Sequence, residues 1–254
     1  GVKTRLHVEH GRENDDPEGV NLKHNLLRRF SAVLLSAFVV VSDDLEQWAK
    51  DTLRLSDKKL VKIFNGVEVP SAGRVEHGKF TFVTVGRLSE VKNQSLLLNA
   101  FAKAQKQEPQ LIDIRLLVIG EGDLRGLLEK QAEALDLTSN VEFFGYCSDV
   151  YSQLQKSDVF VLTSIYEAMP MSVLEAMAVS LPVISSKVGG VESLVVDGET
   201  GWLFDSGDVD TLAAQMIEAY IDQNTSRQRG QLGRQFLLEN FSIESMVNQY
   251  MTLY

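Results

Sequence analysis

A single cysteine, Cys147, stands among 254 residues, so no intramolecular disulfide can form and the chain fits a reducing compartment. Histidine is nearly as scarce, at four, and no His/Cys group has the spacing of metal ligands, so no obligatory metal is expected. Positive charge is short too. Lysine and arginine number 25 against 35 aspartates and glutamates, and the net charge of −10 argues against nucleic acid, whose binding needs a basic footprint. A local basic patch stays compatible with that balance. The longest apolar run, Ala32 to Val41, is interrupted by Ser36 and too short to span a bilayer. There is no internal repeat or low-complexity tract. No start methionine or targeting segment precedes the strand-like Val2–Val8, so the chain reads as the back part of a longer one, with a cytoplasmic location expected. What is present, 44% hydrophobic and 24% charged residues, suits a globular protein of one large or two small domains.

The order of elements is regular. Residues 1–72 read strand, charged loop (Gly11–Gly19), helix, strand, helix, strand, with Pro70-Ser71-Ala72-Gly73 as a linker. The first helix, Asn21–Ser36, carries Leu22, Leu26, Phe30, Val33 and Leu34 on one side and Lys23, Arg28 and Arg29 elsewhere. Ser42 is a natural N-cap, with Asp43, Asp44 and Glu46 in the first turn that follows. Residues 73–240 alternate strand and helix, which predicts an α/β domain with a parallel sheet, and residues 241–254 form a last helix.

Open parallel sheets take ligands at the carboxyl ends of their strands. Five predicted strand exits carry residue types suited to a polar ligand: Gly86-Arg87 with Lys92, Gly120-Glu121-Gly122, Gly145-Tyr146, the turn holding Glu167, and Gly189-Gly190. Lys92 is read as opening a helix, where the dipole disfavours a cation by roughly 0.3–1 kcal/mol unless an anion lies between. Arg87 and Lys92 would then neutralise a diphosphate. The alternative is a surface pair with no ligand. Gly120 to Gly126 imitates a dinucleotide fingerprint, but its third glycine comes one position late and it is not in the first βα unit of a complete domain. Gly189-Gly190 can bring backbone N–H groups to a ligand or simply make a tight turn. Asp208-Val209-Asp210 has the form of a metal motif, yet acids are favoured at the start of the helix that follows.

Ser164 to Glu175 is the centre of the pattern. A buried strand precedes it, and Val173, Leu174, Met177 and Ala178 give a helical stripe after it, with Pro170 in the first turn. Glu167 and Glu175 would lie about 80° apart on one continuous helix, so they converge only if the turn aims Glu167 back toward the helix N-terminus, itself an anion site. This Glu-x7-Glu, with Ala168 and Pro170 behind the first glutamate, resembles retaining glycosyltransferases of the GT-B fold, especially glycosyltransferase family 4, the group 1 transferases. Gly86-Arg87-Leu88 and Lys92-Asn93 match further family motifs.

The resemblance implies a complete Rossmann-like, doubly wound nucleotide-sugar domain at 73–240. It also implies the C-terminal remnant of an acceptor-side domain at 1–72, with roughly a hundred residues missing ahead of it, and a last helix that crosses back to brace it. It further implies sugar transfer from a nucleoside-diphosphate-sugar to a sugar or lipid-linked hydroxyl acceptor, in polysaccharide or glycolipid synthesis. Glu175 would bind the ribose hydroxyls and Glu167 the donor sugar near its anomeric carbon. Arg87, Lys92 and the helix start at Ala168, Met169, Pro170 and Met171 would stabilise the leaving diphosphate. Gly120, Gly122, Gly145, Tyr146, Gly189 and Gly190 would line the donor, and His10 would face the sugar from across the crevice. The alternative for His10 is a solvated loop residue.

Nothing marks a covalent nucleophile, for which Glu167 is a candidate by position alone. Two other classes fit the motifs. One is a nucleotide-sugar-binding module without catalysis; the other is a nucleotide-sugar epimerase, which would interconvert free donor with no acceptor present. Arg28 and Arg29 beside Leu26, Leu27 and Phe30 also suggest peripheral contact with an anionic membrane at its inner face.

Overall fold

The computed structural model describes residues 4–12, 16, 19–71, 73–75 and 77–254. The start of the expected first strand, part of the charged loop and Ala72 of the linker lie outside them. Two parallel sheets are formed. The smaller has the order β1 (Leu6–Glu9), β2 (Ala37–Val40), β3 (Leu60–Lys62). The larger comprises β4 (Thr81–Val85), β5 (Arg115–Ile119), β6 (Val141–Gly145), β7 (Val159–Leu162), β8 (Val183–Ser186) and β9 (Gly201–Phe204). Its spatial order is β6-β5-β4-β7-β8-β9, every pair parallel. The chain winds one way from β4 to β6 and the other way from β7 to β9. That is the doubly wound Rossmann order, and its switch point falls between β4 and β7.

Both faces of this sheet are covered, so its central strands β4 and β7 are buried almost along their whole length rather than alternately. In β7, Val159 and Val161 join one core with Leu97, Phe101, Leu212 and Met216. Phe160 and Leu162 join the other with Val173, Leu174, Met177 and Leu237. The first face is closed by α3 (Gln94–Gln107), α4 (Arg125–Ala134) and α7 (Val209–Ile221), the second by α6 (Met171–Ala178) and α8 (Gln223–Asn240). A short helix, α5 (Val150–Leu154), precedes β7. The second core does not stop at the larger sheet. It runs on through Phe38 and Val40 of the smaller one and through Leu45 and Trp48 of the helix that follows, so the two sheets share one apolar interior.

Caps follow sequence chemistry. Ser42 accepts from Leu45 N–H at the start of α2 (Asp43–Asp51). Asp208 caps α7 through Asp210 and Thr211, and Asp210 pairs with Lys103, so the D-x-D is a helix start. The last helix, α9 (Ile243–Met251), abuts the passage between the sheets. Val67 N–H donates to Phe241 O at 3.1 Å, and the rings of Phe64 and Phe241 meet edge-on at 5.2 Å.

The structure differs from the sequence reading in four places. Lys92 does not open a helix; it ends a 3₁₀ turn, Glu90–Lys92, and α3 begins after Asn93, which is left-handed at φ 48°. Pro170 is the N-cap of α6 rather than part of its first turn. The alternation of strand and helix predicts a short helix at Glu192–Val196, and the structure has a 3₁₀ turn over Gly189–Ser193 instead. The fourth difference concerns α1 (Leu22–Val33), whose apolar stripe faces outward: Leu22, Leu26, Phe30 and Val33 are exposed while Asn25 and Ala32 are buried. Asn25 donates to Gly19 O, and Arg28 turns inward onto Glu9 and over the Trp48 ring.

Two helical glycines separate backbone entropy from space. A Cβ on Gly126 meets nothing, whereas one on Gly230 would fall on the Ser180 carbonyl oxygen, where α8 crosses the end of α6. Gly126→Ala is expected to stabilise by up to about 1 kcal/mol through helix propensity, about 2–4 °C in melting temperature. Gly230→Ala is expected to lower the melting temperature, because the overlap outweighs the same propensity gain. Thermal melts of the two variants check the pair.

Candidate functional site at the strand exits

The exits of β4 and β7 flank the switch point. Lys92 leaves the β4 side with its stem over Gly86, and its ammonium crosses to Glu167 Oε1 on the β7 side at 2.5 Å. Glu167 is buried, and its Oε1 also accepts from the Ser164 hydroxyl at 2.6 Å. The backbones are laced beneath this pair: Ile165 N–H donates to Val91 O at 2.7 Å, and the Thr163 hydroxyl lies 3.0 Å from both Lys92 O and Asn93 O. The structure therefore explains Lys92 differently from the dipole argument. Its immediate partner is a carboxylate on the neighbouring strand exit.

Glycines allow the loops to nest. Gly120, at φ 137°, lies against Gly86 O, and Gly122 lies against Leu88 O; a Cβ on either would overlap that oxygen. Gly189, at φ 50°, and Gly190 press in the same way on the carbonyls of Glu167 and Ala168. Gly190 N–H is spent on Glu167 O at 2.9 Å, so it holds the acidic turn instead of facing a ligand. These glycines position the site's backbone. Ala168 and Met169 are buried, and the Met169 sulfur accepts from Asn65 N–H at 3.1 Å, so these two offer a ligand backbone rather than side chains.

Three features stand open. Arg87 is exposed, and its side chain makes no hydrogen bond or ion pair among the described residues. No side chain caps α6, whose first N–H groups and positive dipole end rise beside Glu167. Glu175, on α6, is half-buried with no hydrogen-bond partner among the described residues, and burial raises its carboxyl above the usual range. The Tyr151 phenol is pushed up to about 12, first by burial and then by the charges of Glu175 and Glu68. Gly145, at φ 85°, abuts the Glu121 carboxylate, and the Tyr146 ring beside it is 80% exposed.

The smaller sheet approaches from the other side. A Cβ on Gly11 would lie 3.4 Å from Ala168 Cβ, so the β1 exit and exposed His10 sit against the Glu167 turn. Arg12 pairs with Asp44 and lies 5.1 Å from the centroid of Tyr166, the residue before Glu167. The sequence reading missed Ser164, Arg12 and Tyr166. The Ser-x-x-Glu spacing could have indicated Ser164; nothing local indicates that Arg12 meets Tyr166. Among the described residues no group of three His, Cys, Asp or Glu could hold a metal ion, and no helix is long and apolar enough to cross a membrane. A cavity of about 480 Å³ lined by Arg115, Asn140 and Glu142 opens at the amino ends of β5 and β6, away from these groups.

Residues 69–236 match the family model described as glycosyl transferases group 1. The chain is 31% identical over 172 residues to N-acetyl-alpha-D-glucosaminyl L-malate synthase of Bacillus anthracis, covering 68% of the chain and 44% of that protein. It is 27% identical over 273 residues to the Escherichia coli UDP-Gal:alpha-D-GlcNAc-diphosphoundecaprenol alpha-1,3-galactosyltransferase, covering 100% and 69%. A TarM variant of S. aureus, solved with fondaparinux, alpha-GlcNAc-glycerol and UDP, superposes with a TM-score of 0.87 at 22% identity, over 98% of this chain and 50% of that one. The likeness shows the fold, which is of the GT-B type. With 44% of the synthase and 50% of TarM covered, the chain spans about half the length of these proteins.

Glu175 supplies a prediction of opposite signs. A carboxyl whose pKa is higher folded than unfolded holds its proton more tightly when folded, so its stabilising contribution is lost as pH rises through the folded value. At pH 7 the ionised group therefore costs stability, and Glu175→Gln is expected to raise the melting temperature of the ligand-free protein. The gain should vanish below about pH 4, where a glutamate is protonated in either state. Melting curves at pH 4 and pH 7 check it.

Proposed function

The chain belongs to the group 1 glycosyl transferases, and from that membership we propose that it carries the donor site of a retaining transferase. The enzyme moves a sugar from a nucleoside-diphosphate-sugar to a hydroxyl acceptor of a polysaccharide or glycolipid, sugar or lipid-linked. The observation that carries this reading is the Lys92–Glu167 pair at the switch point, beside the uncapped start of α6. A relative named with UDP-Gal and a structural neighbour solved with UDP support a nucleotide donor.

Glu175, half-buried and without a hydrogen-bond partner among the described residues, takes the ribose hydroxyls, and the backbone around Gly145 and Tyr146 meets the base. Arg87, Lys92 and the first N–H groups of α6 face the diphosphate and stabilise the charge that develops as it leaves. This charge is met by protein cations and amide dipoles, with no obligatory metal. Glu167 hydrogen-bonds the donor sugar near its anomeric carbon, and His10 faces it from the β1 exit.

Calorimetric titration with UDP, GDP and ADP tests the donor site. One of the three is expected to bind, and Glu175→Ala to weaken it about 10- to 100-fold, the worth of hydrogen bonds to a charged group. Arg87→Ala should weaken the diphosphate much more than the matching nucleoside. A folded sample that binds none of the three would remove the proposal. If donor binds but no acceptor is glycosylated by the chain alone, it is a binding unit that needs further polypeptide for transfer.

Peripheral membrane contact belongs to the same proposal. Its support is the exposed side of α1, where Leu22, Leu26, Phe30 and Val33 stand beside exposed Arg29. Arg28, committed to Glu9, takes no part. The chain is expected to co-sediment with phosphatidylglycerol vesicles at low salt, and Phe30→Glu to weaken this at least about tenfold through lost apolar burial. No co-sedimentation at low salt would count against it.

A further inference from the structure

Beneath Glu167 lies a short row of hydroxyls that the proposed function leaves without a role. Ser164 follows β7 and is closed off from solvent, and its single hydroxyl proton goes to Glu167 Oε1 at 2.6 Å. Its carbonyl accepts from the Ser186 hydroxyl, also at 2.6 Å, at the end of β8, and Ser186 is equally buried. A buried hydroxyl costs free energy unless its hydrogen bond is made, so an apolar residue would fill either position at less risk. Here both bonds are made, and the row ends on a carboxylate.

Lys92 reaches the same oxygen, but the two donors do different things. An ammonium is a point charge on a flexible four-carbon stem and leaves the carboxylate plane free to rotate about it. The Ser164 hydroxyl is held by the fold three residues ahead of the glutamate, and it fixes a direction as well as a distance. Oε1 is thereby tied down. Oε2 has no partner among the described residues and is the oxygen left to meet a ligand. Lys92 also has a second claimant in the leaving diphosphate. As the ammonium turns toward that group, Ser164 is the donor that stays on Oε1.

We infer that Ser164 is a positioning residue: it holds the Glu167 carboxylate with Oε2 toward the donor sugar and keeps it there when Lys92 engages the diphosphate. The inference rests on Glu167 meeting the sugar, as in the proposed function. Ser164 touches no donor atom itself. Removing its hydroxyl should therefore separate recognition of the sugar from recognition of the nucleotide.

The test is calorimetric titration of the full chain with the diphosphate that binds, among UDP, GDP and ADP, and with its glucose and N-acetylglucosamine conjugates. Ser164→Ala is expected to keep its affinity for the bare diphosphate within about twofold. Its affinity for the sugar conjugates should fall about tenfold, the worth of one hydrogen bond to a charged group, and Ser164→Thr, which keeps the hydroxyl, should restore most of the loss. Glu167→Gln runs beside them. If it loses sugar affinity and Ser164→Ala does not, the positioning role is overturned while the donor-site reading stands. If neither variant distinguishes sugar from diphosphate, the reading of Glu167 as a sugar contact fails and takes the inference with it, while the nucleotide site stands on its own titration. Equal loss for both ligands would mark Ser164 as merely structural. Should Ser164→Ala not fold, Ser164→Cys, close in volume and a much weaker donor, is read by the same outcomes.

Discussion

A lysine ammonium and a glutamate carboxylate meet 2.5 Å apart across the gap between two neighbouring strand exits, with about a quarter of one side chain and a tenth of the other left to solvent. Withdrawing two charges from water costs several kcal/mol, which attraction offsets only when further hydrogen bonds complete the pair. The completing bonds are present. Ser164 donates to Glu167, the Ile165 amide donates to Val91 O, and the Thr163 hydroxyl lies within hydrogen-bond distance of Lys92 O and Asn93 O. Removing either charge would strand the other, so both loops are held as one body at the switch point of the sheet.

The surrounding glycines are best understood from this constraint. Two loops can share an ion pair only if their backbones and those of their neighbours come close, and a side chain at Gly120, Gly122, Gly189 or Gly190 would collide with a carbonyl. Glycine-rich strand exits read naturally as ligand cradles. In this fold much of their work is to let protein approach protein, leaving the cationic and acidic side chains to face the cleft. Glu175, half-buried and without a hydrogen-bond partner among the described residues, is a cost carried by the ligand-free protein, and such a cost makes sense when a ligand removes it; Arg87 stays solvated and open.

Much of this was legible in the chain. Alternating apolar runs and helical stripes gave nearly every element of the larger sheet, because a strand buried on both faces and a helix buried on one leave unmistakable periods. Placing Glu167 in a turn and Glu175 on a helix needed only the proline and the stripe after it. The first helix was the instructive case. Its longest apolar stripe points away from the interior, because the side that packs is built from Asn25, Ala32 and the inward-turned Arg28, each with a specific partner. Hydropathy counts apolar faces; it does not say which of them has something to lie against.

Composition, spacing and capping chemistry, all local, determined the elements, their parallel association and the family to which the motifs point. Which groups meet was decided elsewhere. Lys92 and Glu167 are 75 positions apart, Met169 and Asn65 104, and Arg12 lies still farther from Tyr166. Such encounters depend on strand order, and strand order follows from burying both faces of a twisted sheet at once, a property of the whole chain that no window of sequence contains.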